Sequence, residues 1–232
     1  MYRVEETHWW YSALHRVVFQ ALEAELPGWQ GKQILDVGCG TGAILKRLGS
    51  PEKNVGIDLA PEAISFCQQR GLANVRQGDI SALPFSDASF DAVICSSVLY
   101  HQWVGDVAGA VREMHRVLRP GGVLLINVPA FEFLHSAHDD AVMTARRFRR
   151  PEIRQLLLNE HFKIRRLTYW TTLLFPLAVL ARTFGGSKMG RDFESTGLWS
   201  QKALGAIMSL ELRLLRNVSF PFGVALLAVA RK

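Results

Sequence analysis

The run Ile34-Leu35-Asp36-Val37-Gly38-Cys39-Gly40-Thr41-Gly42 constrains this chain more than any other stretch. It closes a short apolar strand and opens a helix, and glycines at alternate positions let the backbone turn sharply with no Cβ in the way. Such a turn presents main-chain N–H groups on which a ligand can lie. Asp36, two residues before the first glycine, sets a carboxylate beside that ligand and favours a cationic group over a phosphate.

Gly38, Gly40 and Ala43 also satisfy the looser dinucleotide pattern, so the downstream residues must separate the two ligand classes. After a helix expected over residues 43–48, residues 54–58 read as a second strand ending in Asp58. That acid stands about 20 residues past the loop, where a carboxylate in an open α/β sheet reaches a ribose hydroxyl pair. NAD and S-adenosylmethionine both carry that ribose. A third strand, residues 73–77, runs into Gly78-Asp79-Ile80, where an acid and an apolar side chain can flank an adenine. Asp36, Asp58 and Asp79 thus fall at three successive strand ends that share one crevice.

These residues, taken in order, resemble the class I S-adenosylmethionine-dependent methyltransferases, in particular the large bacterial group similar to the ubiquinone and menaquinone methyltransferases. The likeness covers residues 30–130: Asp36 to Gly42 as the glycine-rich loop, Asp58 as the ribose acid, Asp79 with Ile80 as the adenine pair. Leu83-Pro84-Phe85 and Ser89-Phe90-Asp91-Ala92-Val93 resemble the approach to the fourth strand, and Arg116-Val117-Leu118-Arg119-Pro120-Gly121-Gly122 the turn before the fifth. The resemblance implies a methyltransferase whose cofactor, S-adenosyl-L-methionine, contacts Asp36, Gly38, Cys39, Gly40, Asp58, Leu59, Asp79, Ile80, Ser96, His101 and Trp10. It puts acceptor chemistry at His101, Tyr100 and His138 and implies no metal.

Apolar runs at residues 33–37, 54–58, 75–78, 92–96 and 123–128 alternate with helical stretches, as repeated βα units do. Right-handed crossovers then give a doubly wound, Rossmann-like parallel sheet with its ligand crevice at the carboxyl ends of the strands. Two further runs, 162–168 and 223–230, complete seven strands, the last antiparallel. The chain reads as one domain: an N-terminal cap (1–29), a cofactor-binding core (30–168), a helical lid insertion (169–220) and the last strand (221–232). In the insertion Leu204, Ile207, Met208, Leu212 and Leu215 form one stripe at helical spacing with Arg213 and Arg216 off it. Such a stripe packs on the core, or serves a dimer or a lipid-facing surface.

With 232 residues, 49% hydrophobic and 21% charged, the chain can bury one α/β core, and its formal net charge of +6 suits acidic or phosphorylated partners without naming one. Cys39, Cys67 and Cys95 form no CxxC pair and read as buried thiols. With no signal-peptide pattern at the start, a cytoplasmic setting is expected. Residues 170–181, the most apolar stretch, fall short of the ~20 needed to span a bilayer and are broken by Pro176. A monomer or homodimer with peripheral membrane contact stays open.

Glu5-Glu6-Thr7-His8-Trp9-Trp10-Tyr11 leads into a helix expected over residues 12–26. Its aromatic faces, Trp10 among them, either cover the adenosine or staple the helix. His101, just after the fourth strand, can take a proton near neutral pH or hold a structural hydrogen bond, and Tyr100 can orient an acceptor. His135, His138, Asp139 and Asp140 follow the fifth strand at a spacing that fits no metal motif; capping or acceptor contact is expected. Arg146-Arg147-Phe148-Arg149-Arg150 either clamps an anionic acceptor or is a solvated helix start, and no nucleic-acid module accompanies it. In a bacterial subgroup sharing the His-Trp-Trp segment, pairs resembling His138-Asp139 and Arg146-Arg147-Phe148 recur, and its members look associated with lipid-linked or specialised-metabolite pathways. The expected activity is methyl transfer to a small or amphipathic acceptor. The alternatives are a non-catalytic S-adenosylmethionine-binding protein, against which the intact acids and glycines weigh, and a nicotinamide dehydrogenase as the runner-up among enzymes.

Overall fold

The computed structural model describes residues 8–184 and 198–232. The N-terminal cap is a helix, α1 (Trp9–Glu25), and the aromatic segment begins it rather than preceding it. His8 takes the N-cap position: its Nδ1 accepts the Trp10 N–H at 3.3 Å, satisfying a donor that the first turn cannot pair within the helix. Residues 5–7 lie outside the described residues.

There follow β1 (Ile34–Val37), α2 (Ala43–Leu48), β2 (Val55–Asp58), α3 (Pro61–Gln69), β3 (Val75–Gln77), β4 (Phe90–Ser96), α4 (Val107–Val117), β5 (Leu118–Pro129), α5 (Ala137–Ala141), α6 (Arg150–Asn159), β6 (Lys163–Trp170), α7 (Phe175–Phe184), α8 (Leu198–Leu214) and β7 (Ala225–Arg231). The seven strands form one sheet in the order β3-β2-β1-β4-β5-β7-β6. The pairs from β3 to β5 are parallel, and β7 runs antiparallel between β5 and β6. The doubly wound, Rossmann-like sheet expected from the βα alternation is therefore present, with its antiparallel last strand inserted rather than at the edge. The turn expected over residues 116–122 lies partly inside β5. Pairing slips between Phe90, opposite Leu118, and Ala92, opposite Val123, and the extra residues turn at Gly121 with φ +79°.

Period-two alternation sends the strand side chains to two faces. Leu35, Val37, Val93, Cys95, Leu124 and Ile126 join one buried cluster, while Ile34, Ala92, Ile94, Val123 and Leu125 join another. The first cluster is covered by α4 and α6 through Val111, Met114, Ile153 and Leu157. The second is covered by α1 and α2, and by Leu204, Met208, Leu212 and Leu215 on or just past α8. Four of the five stripe residues thus pack on the core, while Ile207 is exposed, because the arc facing α1 is too narrow to include it. Asp36 alternates with Leu35 and Val37, so it points to the α1 face of the sheet as the one acid between two core residues.

Candidate active site

β1 and β4 are paired neighbours from which the sheet is wound outward in opposite directions, and beyond the carboxyl ends of such a pair a doubly wound sheet leaves a crevice for a ligand. β1 ends at Gly38, whose φ of +69° only glycine takes easily; a Cβ there would come within 2.2 Å of Val98 Cγ2. Gly40 differs. Its φ is +55°, and a Cβ would meet nothing within 4 Å, so open space lies directly over the backbone.

The loop does not offer its N–H groups to a ligand as its sequence suggests. Gly38 and Cys39 both donate to the Ile57 carbonyl, at 2.7 and 3.0 Å, Gly42 donates to the Cys39 carbonyl at 2.9 Å, and Gly40 donates to Asp58 Oδ2 at 2.8 Å. The turn folds back on the end of β2, and β2 takes up the donors. What faces the crevice is carboxylate. Asp58 is fixed from both sides, its Oδ1 accepting the Ala60 N–H at 3.0 Å. Asp36 is only 2% exposed, and its Oδ2 has no hydrogen-bond partner in the protein. Burial, and then the neighbouring Asp58 charge, push its carboxyl up to about 8.

A phosphate would meet the Asp58 carboxylate, spent backbone donors and a second acid that it gives no reason to ionise. A cationic group would relieve both the unpartnered oxygen and the repulsion between the acids. The residues present therefore fit a positively charged nucleoside better than a dinucleotide.

The other expected cofactor residues divide. Ile80 is buried in the core cluster, and Asp79 is exposed, its Oδ1 accepting the Ser81 N–H at 2.8 Å. Leu59 is exposed beside Asp58, and its carbonyl accepts from Gln77 Nε2 at 3.1 Å. Ser96 closes β4 with a hydroxyl that is buried and unpartnered. Cys39 turns its thiol away from the crevice, 3.9 Å from Cys67 Sγ, and Cys67 donates to the Gly40 carbonyl at 3.3 Å. Trp10 stacks on Trp170 with ring centroids 6.2 Å apart, and Trp170 Nε1 donates to Asn127 Oδ1 at 2.8 Å.

Tyr11, from the aromatic run that begins α1, acts on the Tyr100 phenol. Burial, Tyr11 and Asp139 push that phenol up to about 12 against Arg147 and a hydrogen bond with Ser97. His101 follows on the turn after β4, stacked on Trp103 with centroids 4.9 Å apart and ring planes within 17°. Burial holds its imidazole below the usual value, while the carbonyls of Val142, Met143 and Ser97 and the charge of Asp58 raise it. Its Nδ1 is buried and makes no hydrogen bond of normal geometry. His138 lies in α5, and its side chain is outside the described ones.

The arginine run divides: Arg149 is the exposed N-cap of α6 and Arg150 its first residue, the helix start expected, whereas Arg147 is neither solvated nor a free clamp. Arg147 is buried and grips Asp139 with a fork, Nε to Oδ1 and Nη2 to Oδ2, both at 3.0 Å, and its Nη1 donates to the Ala130 carbonyl. Arg182 of α7 also pairs with Asp139, at 3.3 Å. Burial raises the Asp139 carboxyl, but Arg147, Ser136 and Arg182 hold it below the usual range. Arg150 lies over the Tyr169 ring at 5.1 Å and donates its backbone N–H to the Tyr169 hydroxyl at 2.9 Å. Asp139 sits in α5 and Arg147 in the segment between α5 and α6, so no single helix or strand carries both; the sequence names the two residues in one recurring pattern but does not show that they pair.

Residues 35–126 match the family described as methyltransferase domain. A malonyl-acyl-carrier-protein O-methyltransferase from Serratia marcescens is 38% identical over 130 residues, 55% of this chain and 50% of that protein. A fatty-acid O-methyltransferase from Mycolicibacterium smegmatis is 45% identical over 105 residues, 41% of this chain and 36% of that protein. The chain spans about half the length of the curated relatives it matches first. Among solved structures, an S-adenosylmethionine-dependent methyltransferase from Mesorhizobium loti superposes with a TM-score of 0.62 at 18% identity, over 98% of this chain and all of that one.

Proposed function

We propose, from the premise that residues 35–126 form a methyltransferase domain of the class I S-adenosylmethionine-dependent kind, that this chain methylates an oxygen of an amphipathic, acyl-chain acceptor. When bound, S-adenosylmethionine supplies a methyl carbon on a positively charged sulfur, open to in-line displacement. Asp58 is set to bind the ribose, Asp36 to meet positive charge, and Ile80 with Asp79 to flank the base. Gly40 admits the ligand against the backbone.

The remaining task is positioning, which can supply about 7–11 kcal/mol of such a barrier. Both relatives are named for acyl substrates, malonyl on a carrier protein and a fatty acid. A carboxylate oxygen of that kind carries no proton at neutral pH, so no base is required. His101 and Tyr100 then orient the acceptor, the first as a neutral ring and the second as an un-ionised phenol. A base role returns to His101 if the acceptor oxygen is a hydroxyl.

The observation that carries this reading is the buried, unpartnered Asp36 oxygen beside Asp58 in a loop whose donors are spent. Isothermal titration tests it: S-adenosylmethionine binds in the micromolar range, and Asp58→Ala loses about 1.5–3 kcal/mol, roughly ten- to a few hundred-fold in affinity. An unchanged affinity in that variant contradicts the assignment. Labelled cofactor with a panel of fatty acids and acyl thioesters then identifies the acceptor.

A further inference from the structure

The face built by the turn before α7, by α8 and by the segment before β7 is apolar where it meets solvent. Leu173, Ile207, Leu210, Leu214, Val218 and Phe222 are all exposed, Leu210 at 53%. The segments that carry them are clamped together. The buried Glu211 carboxylate accepts the N–H groups of Thr172 and Leu173 at 3.0 and 2.9 Å, and Thr172 Oγ1 donates to the Phe222 carbonyl at 2.6 Å.

At about 100° per residue, Leu204, Met208 and Leu212 take the buried arc of α8, while Ile207, Leu210 and Leu214 fall on a second arc turned outward. A helix with only a core to cover needs one such arc.

Charge selects the occupant. Across residues 171–184 and 198–222 the sole acid is Glu211, which is wholly buried, and Arg213 and Arg216 are exposed beside the apolar arc. An apolar stripe flanked by bases with no exposed acid matches an anionic lipid surface. A second copy fits worse, because a two-fold contact would press bases against bases with no acid to meet them. No helix of the described residues is long and apolar enough to cross a membrane, so the contact is superficial. The same elements adjoin the rest of the molecule: Arg182 of α7 pairs with Asp139, whose charge acts on Tyr100, and Arg16 of α1 donates to Ser209 of α8 at 2.8 Å.

We propose that this face seats the protein on an anionic bilayer. An amphipathic acceptor dissolved there would reach the crevice without crossing water, the part of the inference that rests on the function proposed above.

The test is sedimentation of the full chain with vesicles of phosphatidylcholine alone and with roughly a third phosphatidylglycerol. Binding to the anionic vesicles, weakened by added salt, and a loss of at least about tenfold in Leu210→Glu/Leu214→Glu are expected. Unchanged thermal melting and unchanged S-adenosylmethionine affinity of that variant show that the fold and the crevice are intact. Should the variant fail to fold, Arg213→Glu/Arg216→Glu reads the charge half alone. No vesicle binding by the wild type, binding indifferent to either pair of substitutions, or a concentration-dependent dimer abolished by them overturns the proposal. Vesicle binding by a protein that ignores S-adenosylmethionine leaves the docking face standing and removes the methyltransferase reading instead.

Discussion

Asp36 is the residue on which the account turns, because its carboxyl is held largely protonated at neutral pH by burial and by Asp58. A ligand that brings positive charge must ionise it, so binding releases a proton and tightens as pH rises toward about 8, by up to tenfold per pH unit. Calorimetry between pH 6 and 7.5, in buffers that differ in ionisation enthalpy, checks both effects; Asp36→Asn should show neither, and a flat affinity in the wild type would count against this role. The two glycines make a second pair of expectations. Gly38→Ala should unfold or strongly destabilise the chain, since its methyl collides with Val98. Gly40→Ala should cost only about 1–2 kcal/mol of stability for its backbone conformation yet lose cofactor affinity, because its methyl enters the ligand's space. Melting curves alongside titrations separate the two outcomes.

Among the elements, the loop after β5 is held to α7 by an ion pair that the sequence conceals. Arg147→Met leaves the Asp139 carboxylate buried with Arg182 as its one cation and Ser136 as its other partner, and should cost about 3 kcal/mol in denaturant unfolding. Arg147→Lys should not restore it, because an ammonium cannot make the two parallel bonds of the fork. A Lys variant as stable as wild type would show that the fork contributes little. Strand positions were legible, since runs such as residues 92–96 and 123–128 are continuous and apolar as a sheet buried on both faces requires. The start of α1 was not. His8 caps through a ring nitrogen, a role that residue type does not advertise, and the aromatics behind it gave no helical signal of their own. The loop donors were misread for a related reason: three glycines fix the turn, but which acceptor takes each N–H depends on how closely β2 approaches.

On the scale of the whole molecule, buried titratable groups set opposing slopes of stability against pH. Burial, with Arg47 and Arg70, lowers His15 to about 4, so the unfolded chain binds the extra proton and stability rises with pH from about 4 to 6.5. Asp36 acts the other way, because the native state holds its proton until about 8, and stability falls as pH rises through that range. Above pH 6.5 the histidine contribution is spent, so the wild type should lose melting temperature between pH 6.5 and 8 relative to Asp36→Asn, and saturating S-adenosylmethionine should flatten the difference. Parallel curves for the two proteins would place the Asp36 proton elsewhere. The arrangement of acids at the ends of β1, β2 and β3 was readable because sheet order follows from the βα alternation, whereas the apolar outer arc of α8 was not, since a stripe at helical spacing cannot say which of its sides the core will cover. A crystal structure with S-adenosylhomocysteine tests the central claim most directly, as that by-product keeps the ribose and the ammonium. The account predicts the ribose hydroxyls within about 3 Å of the Asp58 carboxylate and the ammonium turned toward Asp36; an adenosyl group lodged away from the ends of β1 and β2 would contradict it.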